Sequence, residues 1–389
     1  MNTMIKRVFV GICWVLLWLP NLIWQTARYS LFGIRVSAKR EKKDILERAN
    51  WLAGKILVSP ERLLSEMPSI LGKHFGGEWA IYSCSHYAAA LLNISRLYPE
   101  EKALCLERME RIIDIVLDPA IREYDTMKWS EDALETLSGN KSHMTYLSIL
   151  AWIITCYKMA GGTEKHDAIL HGCCEALDRR MRRSRDLNLL SFPHTPIFFP
   201  DMLFCIVALH NYSLLFDGKY ADIVQLWLHK AKTEWTDKHT GLLFSMLYRN
   251  KNGQYSRHPS LRGSYTALNC YCLSLIDADY AKDQYTRMKT RFRSYRFLTG
   301  IREYKNWAPF FRMDVDAGPV INGLSPSGTA WCIGCATFFK DQHFKTRLLR
   351  TADIAGITIR GWKKRHYLLG DLVVVGEAVT LAMRTNKRL

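Results

Sequence analysis

Apolar residues recur along most of the chain at the spacing of an α-helix. From about residue 40 onward they occupy positions i, i+3, i+4 and i+7, which places them on one face of a helix. The segments with this pattern are residues 45–56, 79–97, 104–117, 146–159, 202–215 and 221–232. Alternating strand patterns are sparse, and no strand–helix–strand alternation occurs. The pattern therefore predicts an all-α fold.

The places where these helices begin form a second regularity. Turn and capping residues recur at steps of about 60 residues, which is the length of one helical hairpin with its loops. The predicted starts lie near Trp79, His143, Asp201, Ser264 and Ser327, with a sixth near Gly370. Six hairpins closed into a ring form an (α/α)6 toroid, and this is the architecture that we expect.

In such a ring the inner helices run in one direction, so their N-termini gather at one mouth and offer unpaired N–H groups there. His143 lies in a first turn, where the helix dipole favours a neutral imidazole suited to a general base. Tyr146 shares its face, and Asp201 opens the next inner helix. Asp314 and Asp316 are two residues apart in a segment expected to be extended, so one can act as acid and the other as base.

These five residues form the predicted catalytic set: His143, Tyr146, Asp201, Asp314 and Asp316. The predicted substrate-binding residues around the same mouth are Trp79, Tyr82, Tyr87, Asp125 and Arg262. Each prediction has a structural alternative. A first-turn histidine can make one surface hydrogen bond, an aspartate can stabilise a helix dipole or cap a helix, and aromatic side chains can belong to the core.

The N-terminus carries an uncharged apolar run over residues 8–24, close to the shortest length that crosses a bilayer. The flank that follows is more basic than the one before it, with Arg28, Arg35, Lys39, Arg40, Lys42 and Lys43. This asymmetry favours an uncleaved membrane anchor with a cytoplasmic main domain, and an export signal or a buried helix is the alternative. We expect an anchor or signal-like segment at 1–27, a basic linker and first helix at 28–69, and the toroid at 70–389.

Charge and cysteine content narrow the functional classes. The 389 residues include 54 Lys and Arg against 37 Asp and Glu, a net charge of +17 that favours an anionic surface as neighbour. No phosphate-binding loop or RNA-binding motif occurs, so we expect no nucleic-acid partner. The 11 cysteines lack zinc-site spacing and are expected to be buried thiols of a reducing compartment. We predict no metal and no organic cofactor, and a homo-oligomer is compatible with the sequence.

Four short motifs carry a family resemblance. They are Asp125-Thr-x-x-Trp129-x-Glu131-Asp132, Ser142-His143-x-x-Tyr146-Leu147, Phe199-Pro200-Asp201, and Asp314-Val-Asp316-Ala-Gly-Pro319. Over about residues 70–385 the chain resembles a group of bacterial (α/α)6-barrel proteins similar to linalool dehydratase-isomerase. The resemblance implies an acid–base enzyme in which Asp, Tyr, His and Cys remove a hydroxyl without a cofactor. His143 matches best and Tyr146 next, whereas the two pocket cysteines of the family have no counterpart and Asp201 stands where the first is expected.

The sequence therefore favours a cofactor-independent enzyme that dehydrates, hydrates or isomerises a small or lipid-like alcohol. Asp314 or Asp316 would be the acid and His143 the base, with Tyr146 and Asp201 orienting the substrate. A glycan hydrolase or lyase of the same toroid is the first alternative, and it requires an open groove rather than a closed, dry pocket. A non-catalytic scaffold at a membrane is the second, and it requires a mouth without convergent titratable groups.

Overall fold

The computed structural model describes residues 3–32, 37–67, 74–249, 255–256, 261–295 and 298–388. The described helices are α1 (Thr3–Phe32), α2 (Ala38–Ile56), α3 (Pro60–Glu66), α4 (His74–Leu97), α5 (Lys102–Val116), α6 (Pro119–Trp129), α7 (Met144–Met159), α8 (Asp167–Arg183), α9 (Phe199–Leu215), α10 (Ala221–Thr233), α11 (Gly263–Ser274), α12 (Ala278–Phe292), α13 (Pro326–Phe338), α14 (Gln342–Gly356) and α15 (Val374–Thr385). Short strands make up β1 (Ile197–Phe198), β2 (Met246–Arg249), β3 (Tyr255–Ser256), β4 (Arg293–Tyr295), β5 (Thr299–Arg302), β6 (Phe311–Arg312), β7 (Val320–Ile321), β8 (Leu324–Ser325), β9 (Thr358–Gly361) and β10 (Lys364–Tyr367).

Six helices form a closed inner ring. Along the ring α4 packs on α7, α7 on α9, α9 on α11, α11 on α13, α13 on α15, and α15 returns to α4. The outer helices α5, α8, α10, α12 and α14 each pack against the inner helix that precedes them, and α2 packs against α15. The fold is the (α/α)6 toroid that the spacing of helix starts predicts.

The inner helices are buried on all sides, as the centre of a ring requires. Every residue of α11 is buried, and so is every residue of α7 from Met144 to Tyr157. The outer helices are amphipathic, with buried residues on one face only, as in α12. Ten of the 11 cysteines are buried free thiols, mostly on these helices, in agreement with the sequence prediction.

A buried ionic cluster joins the outer helix α2 to the C-terminal region. Arg48 of α2 forms an ion pair with Glu377 of α15, and its guanidinium lies 4.0 Å from the ring centre of Tyr367. Asp44, one turn earlier, pairs with Arg48 at 3.2 Å and with Arg384 at 2.5 Å. The first outer helix of the chain is thus the partner of the last inner helix.

A five-stranded antiparallel sheet lies at the mouth of the ring, in the order β4-β5-β8-β7-β6. Its strands have two to four residues each, too short for the alternating pattern that identifies strands in a sequence. Strand β5 approaches the start of α11 so closely that a Cβ on Gly263 would lie 1.9 Å from the carbonyl oxygen of Arg302. The sheet thereby brings Glu303, Asp314 and Asp316 to the inner-helix N-termini.

Candidate active site

Three carboxyl groups face one another at the mouth of the ring. Glu78 is in the second turn of α4, Asp201 in the first turn of α9, and Asp316 in the connection between β6 and β7. The charge of Asp316 raises the pKa of both Asp201 and Glu78, and Asp201 raises that of Glu78 further. The toroid therefore brings together side chains that lie more than 100 residues apart in sequence, as the predicted convergence of helix starts requires.

Asp201 is fixed by two hydroxyl groups. The hydroxyl of Tyr82 donates to its Oδ1 at 3.1 Å, and the hydroxyl of Ser191 donates to its Oδ2. Burial raises the pKa of Asp201 to about 6, against the two hydrogen bonds that favour the carboxylate. Near neutral pH Asp201 is thus mostly ionised and held in one orientation.

Glu78 has the opposite protonation state. Burial and the charges of Asp201 and Asp316 raise its pKa to about 8, and Lys128 of α6 only partly offsets them. Glu78 and Tyr82 are four residues apart on α4, so both face the same space. Sequence reasoning identified this helix start at Trp79 but did not select Glu78. The available signal was its position one turn before the predicted site residue Tyr82.

Asp316 forms the third corner and lies closest to solvent. The hydroxyl of Tyr265 donates to its Oδ2 at 2.6 Å, and Arg262 Nη1 lies 3.7 Å from the same oxygen. Partial burial raises the pKa of Asp316, although 49% of its side chain is exposed. Its exposure places this carboxyl at a solvent-accessible edge of the mouth.

Asp314 has a different environment from Asp316. Its Oδ1 accepts hydrogen bonds from Arg262 Nη2 at 2.7 Å and from the backbone nitrogens of Asp316 and Ala317 at 3.0 and 2.9 Å. Burial opposes ionisation, but these hydrogen bonds and the arginine hold the pKa of Asp314 below its usual value. Asp314 therefore closes a turn and positions Arg262, and the carboxyl that faces Asp316 across the mouth is Asp201.

Arg262 is held by a further carboxylate that the sequence analysis missed. Glu303, fully buried after β5, accepts hydrogen bonds from Arg262 Nε at 2.5 Å and from the backbone nitrogen of Ser264 at 3.1 Å. Arg262 also stacks on Tyr265, with its guanidinium 4.6 Å from the ring centre. The predicted binding residue Arg262 thus lies at the mouth, already compensated by Glu303, Asp314 and Asp316.

His143 is fully buried and lies in a separate cluster. Its Nδ1 is 2.5 Å from Oδ2 of Asp125, and its Nε2 is 3.3 Å from Oε1 of Glu131. Its backbone is left-handed, with φ of 44°, at the N-cap position of α7. The structure brings the predicted residues His143 and Asp125 together, but both ring nitrogens of His143 face carboxylates of this cluster rather than Asp201 or Asp316.

The remaining predicted residues make packing contacts. The hydroxyl of Tyr146 donates to the carbonyl oxygen of Val116 at 3.0 Å, and that of Tyr87 to the carbonyl oxygen of Ala49 at 2.8 Å. Both hydroxyls therefore point toward outer helices. Trp79 is partly buried and packs against the core. Of the four aromatic residues predicted for the site, Tyr82 is the one whose polar atom contacts a carboxyl group of the mouth.

This arrangement can perform acid–base chemistry. A carboxyl protonated at neutral pH stands near one that is ionised, and such a pair can donate and accept protons in one reaction. Tyr82, Ser191 and Tyr265 hold two of the three carboxyl groups in place. The side chain of Asp316 is 49% exposed, so the carboxyl groups of the mouth are reached from solvent on this side.

Comparisons with known proteins match the fold. No protein-family model matches the chain, and no curated protein sequence matches it. An unsaturated glucuronyl hydrolase specific for heparin aligns with a TM-score of 0.57 at 10% identity, covering 90% of this chain and 96% of its own. The GH76A α-1,6-mannanase from Salegentibacter sp. HEL1_6 aligns with a TM-score of 0.54 at 11% identity, covering 88% and 98%. A polysaccharide lyase aligns with a TM-score of 0.51 at 11% identity, covering 90% and 98%.

At these identities the similarity establishes a shared (α/α)6 architecture. The toroid implied by the family resemblance is therefore confirmed. The matched structures named above all process glycans, and they lend no support to the more specific resemblance to linalool dehydratase-isomerase.

Proposed function

We propose that this protein is a glycan-processing hydrolase or lyase, the first alternative of the sequence analysis. The observation that carries the proposal is the open mouth with Glu78, Asp201 and Asp316, in which one carboxyl is protonated and another ionised near neutral pH. Cleavage of a glycosidic bond uses such a pair of carboxyl groups. The glycan enzymes that share the fold support the same class.

The pKa values suggest roles for the three groups. Glu78 is the proton donor to the departing sugar oxygen, because its pKa of about 8 keeps it protonated at neutral pH. Asp201, oriented by Tyr82 and Ser191, acts on the sugar or on water as the ionised partner. Asp316 and its donor Tyr265 line the approach to both.

Hydrolysis is favoured over elimination by the charge balance. A lyase that removes the proton beside a uronate carboxylate benefits from a cation that neutralises this carboxylate in the transition state. Arg262 is the cation closest to Asp316, and it is already bound by Glu303, Asp314 and Asp316. A neutral sugar therefore fits the mouth better than a uronate.

Exposed aromatic side chains beside the mouth supply surfaces for sugar rings. In the segment before Asp314, Trp307 is 48% and Phe310 84% exposed. Flat apolar faces next to a polar rim are suited to stacking against the less polar face of a sugar. A closed, dry pocket, which the small-alcohol interpretation requires, is difficult to reconcile with this open and partly aromatic rim.

The test is a screen of the purified full-length protein against neutral and uronate-containing oligosaccharides. New reducing ends report hydrolysis, and absorbance near 235 nm reports the unsaturated product of a lyase. Glu78→Gln and Asp201→Asn are each expected to lower the rate by ~10²–10⁴, while Glu175→Gln, an exposed glutamate on α8, serves as the matched control. Cleavage that persists in both site variants would exclude this mouth as the active site.

A further inference from the structure

Helix α1 is attached to the toroid along one side, through an apolar cluster of Val10, Trp14 and Trp18 with Ile357 and Leu368 and through hydrogen bonds. The indole nitrogen of Trp14 donates to the carbonyl oxygen of Ala355 at 2.7 Å, and the Asn21 amide donates to the carbonyl oxygen of Asp353 at 3.0 Å. Gln25, one turn later, is only 4% exposed. Positions 14, 21 and 25 share one side of a helix, so this side is turned toward α14 and the segment that follows it.

The opposite side of α1 is apolar and exposed. Nine large apolar side chains on it are between 43% and 69% exposed: Val8, Phe9, Ile12, Val15, Leu16, Leu17, Leu19, Ile23 and Trp24. A surface helix of a water-soluble protein presents mainly polar residues on its outward side. A continuous apolar surface of this size is typical of a binding face. We call this side of α1 the apolar stripe.

Contacts at both ends of α1 show how the helix lies. Arg7 donates to the carbonyl oxygen of Met67 at 2.8 Å, and Arg350 of α14 contacts the Thr26 hydroxyl at 3.4 Å. Although Arg7–Arg28 is long and apolar enough to cross a membrane, it is held against the toroid from one end to the other. A helix that crosses a bilayer has to leave the polar surface of its own domain. The docked helix is therefore arranged to lie along an interface.

A basic cavity opens beside the C-terminal end of the apolar stripe. It has a volume of about 1580 Å³ and lies between α1, α2, α14 and the β9–β10 hairpin. Seven cationic side chains line it against three carboxylates, Glu41, Asp44 and Asp353. The cationic residues are Arg28, Arg40, Lys43, Lys345, Arg360, Arg365 and Arg384. Trp24 belongs to both the cavity and the apolar stripe, so the two features adjoin.

We propose that α1 lies in the plane of a membrane, with the apolar stripe among the acyl chains and the phosphate of an anionic lipid in the basic cavity. Arg365 and Arg384 pair with Asp44, and Lys345 pairs with Glu41, yet the cationic groups of the cavity still outnumber its carboxylates. This excess suits an anionic headgroup, and the net charge of +17 attracts the protein to the same surface. An apolar face combined with basic residues gives the two contributions that stable interfacial binding needs. The tip of the β9–β10 hairpin adds Trp362, which is 86% exposed.

Flotation of the full-length protein with vesicles tests the ligand. We expect binding to vesicles of phosphatidylcholine with phosphatidylglycerol, and much weaker binding to phosphatidylcholine alone. Arg40→Glu with Lys43→Glu should reduce the partition coefficient by about tenfold or more, and Lys238→Glu with Lys282→Glu is the matched control on exposed positions elsewhere. Equal binding to both vesicle types, or equal losses in both double variants, would overturn the proposed headgroup site.

A second pair of measurements tests the orientation. Leu16→Ser with Ile12→Ser should reduce binding by about tenfold, whereas Leu214→Ser, an exposed leucine on α9, should not. Thr3→Cys introduces a cysteine at the N-terminal end of α1, and Lys39→Cys introduces one beyond its C-terminal end. Both cysteines should react with a membrane-impermeant maleimide on intact vesicles. Protection of one of the two positions would show a crossing helix and refute the in-plane arrangement.

Discussion

Replacing Glu78 by glutamine should make the protein more stable at alkaline pH, although it removes the proposed proton donor. The unfolded chain ionises this carboxyl near 4.5, whereas the folded protein holds its proton up to a pKa of about 8. The folded state therefore binds the proton more tightly. The stability that this group contributes is fully present below about pH 4.5 and is lost as the pH rises through about 8. Glutamine cannot ionise, so the variant lacks this loss.

The structure sets the size of the effect. The interval between 4.5 and about 8 corresponds to roughly 5 kcal/mol at most. Water at the open mouth screens the charges of Asp201 and Asp316, so a few kcal/mol is the expected value. For a chain of this size that corresponds to a rise in melting temperature of roughly 3–8 °C at pH 9.

Calorimetric melting of the wild type and Glu78→Gln at pH 5, 7 and 9 measures this difference. The advantage of the variant should be smallest at pH 5 and should grow toward pH 9. Glu175→Gln, at an exposed site, should track the wild type throughout. A wild type that is more stable than Glu78→Gln at pH 9, or a difference that does not change with pH, would refute the burial and charge coupling on which the site is built.

Two further predictions concern residues outside the three-carboxyl mouth. His143→Ala leaves the buried carboxyl of Asp125 without its hydrogen-bond partner and should lower the free energy of unfolding by about 1–3 kcal/mol. The loss is measured as a lower melting temperature, and an unchanged melting temperature would contradict a structural role for this cluster. Arg48→Ala breaks the buried pair with Glu377 and should cost about 3–5 kcal/mol, measured by melting against Arg287→Ala, an exposed arginine whose loss should cost little. If both arginine variants melt alike, the ionic cluster does not stabilise the attachment of α2 to α15.

The helices of this fold could be predicted from the spacing of apolar residues in the sequence. The predicted helices at 79–97, 146–159 and 202–215 correspond to α4, α7 and α9, and the steps between helix starts led to the toroid. Helical periodicity and capping residues are local properties, so they can be recognised without a tertiary structure. The two-residue strands β6, β7 and β8 cannot be recognised in the sequence, because they form only by pairing with one another at the mouth.

The location of the candidate site could be predicted from the sequence, but only some of its residues could be. Asp201, Tyr82 and Arg262 were expected near inner-helix starts and Asp316 in an extended segment. In the structure Asp201 and Arg262 lie at the starts of α9 and α11, Tyr82 lies in α4, and Asp316 lies between β6 and β7. Glu78 was missed although it lies one turn before Tyr82, because its local sequence does not distinguish it from an ordinary glutamate near a helix start. Its raised pKa comes from burial and from two carboxylates that are distant in the chain.

What the sequence determined by itself is the order of helices, the identity of the inner helices and the apolar character of α1. These follow from spacing and composition within single segments. Only the tertiary structure decided that Asp201 rather than Asp314 opposes Asp316, and that His143 is engaged by Asp125 and Glu131. It also decided which side of α1 is docked on the toroid. The physical reason is that protonation state and exposure depend on which charges and surfaces a fold brings within a few ångströms, and these neighbours come from other segments of the chain.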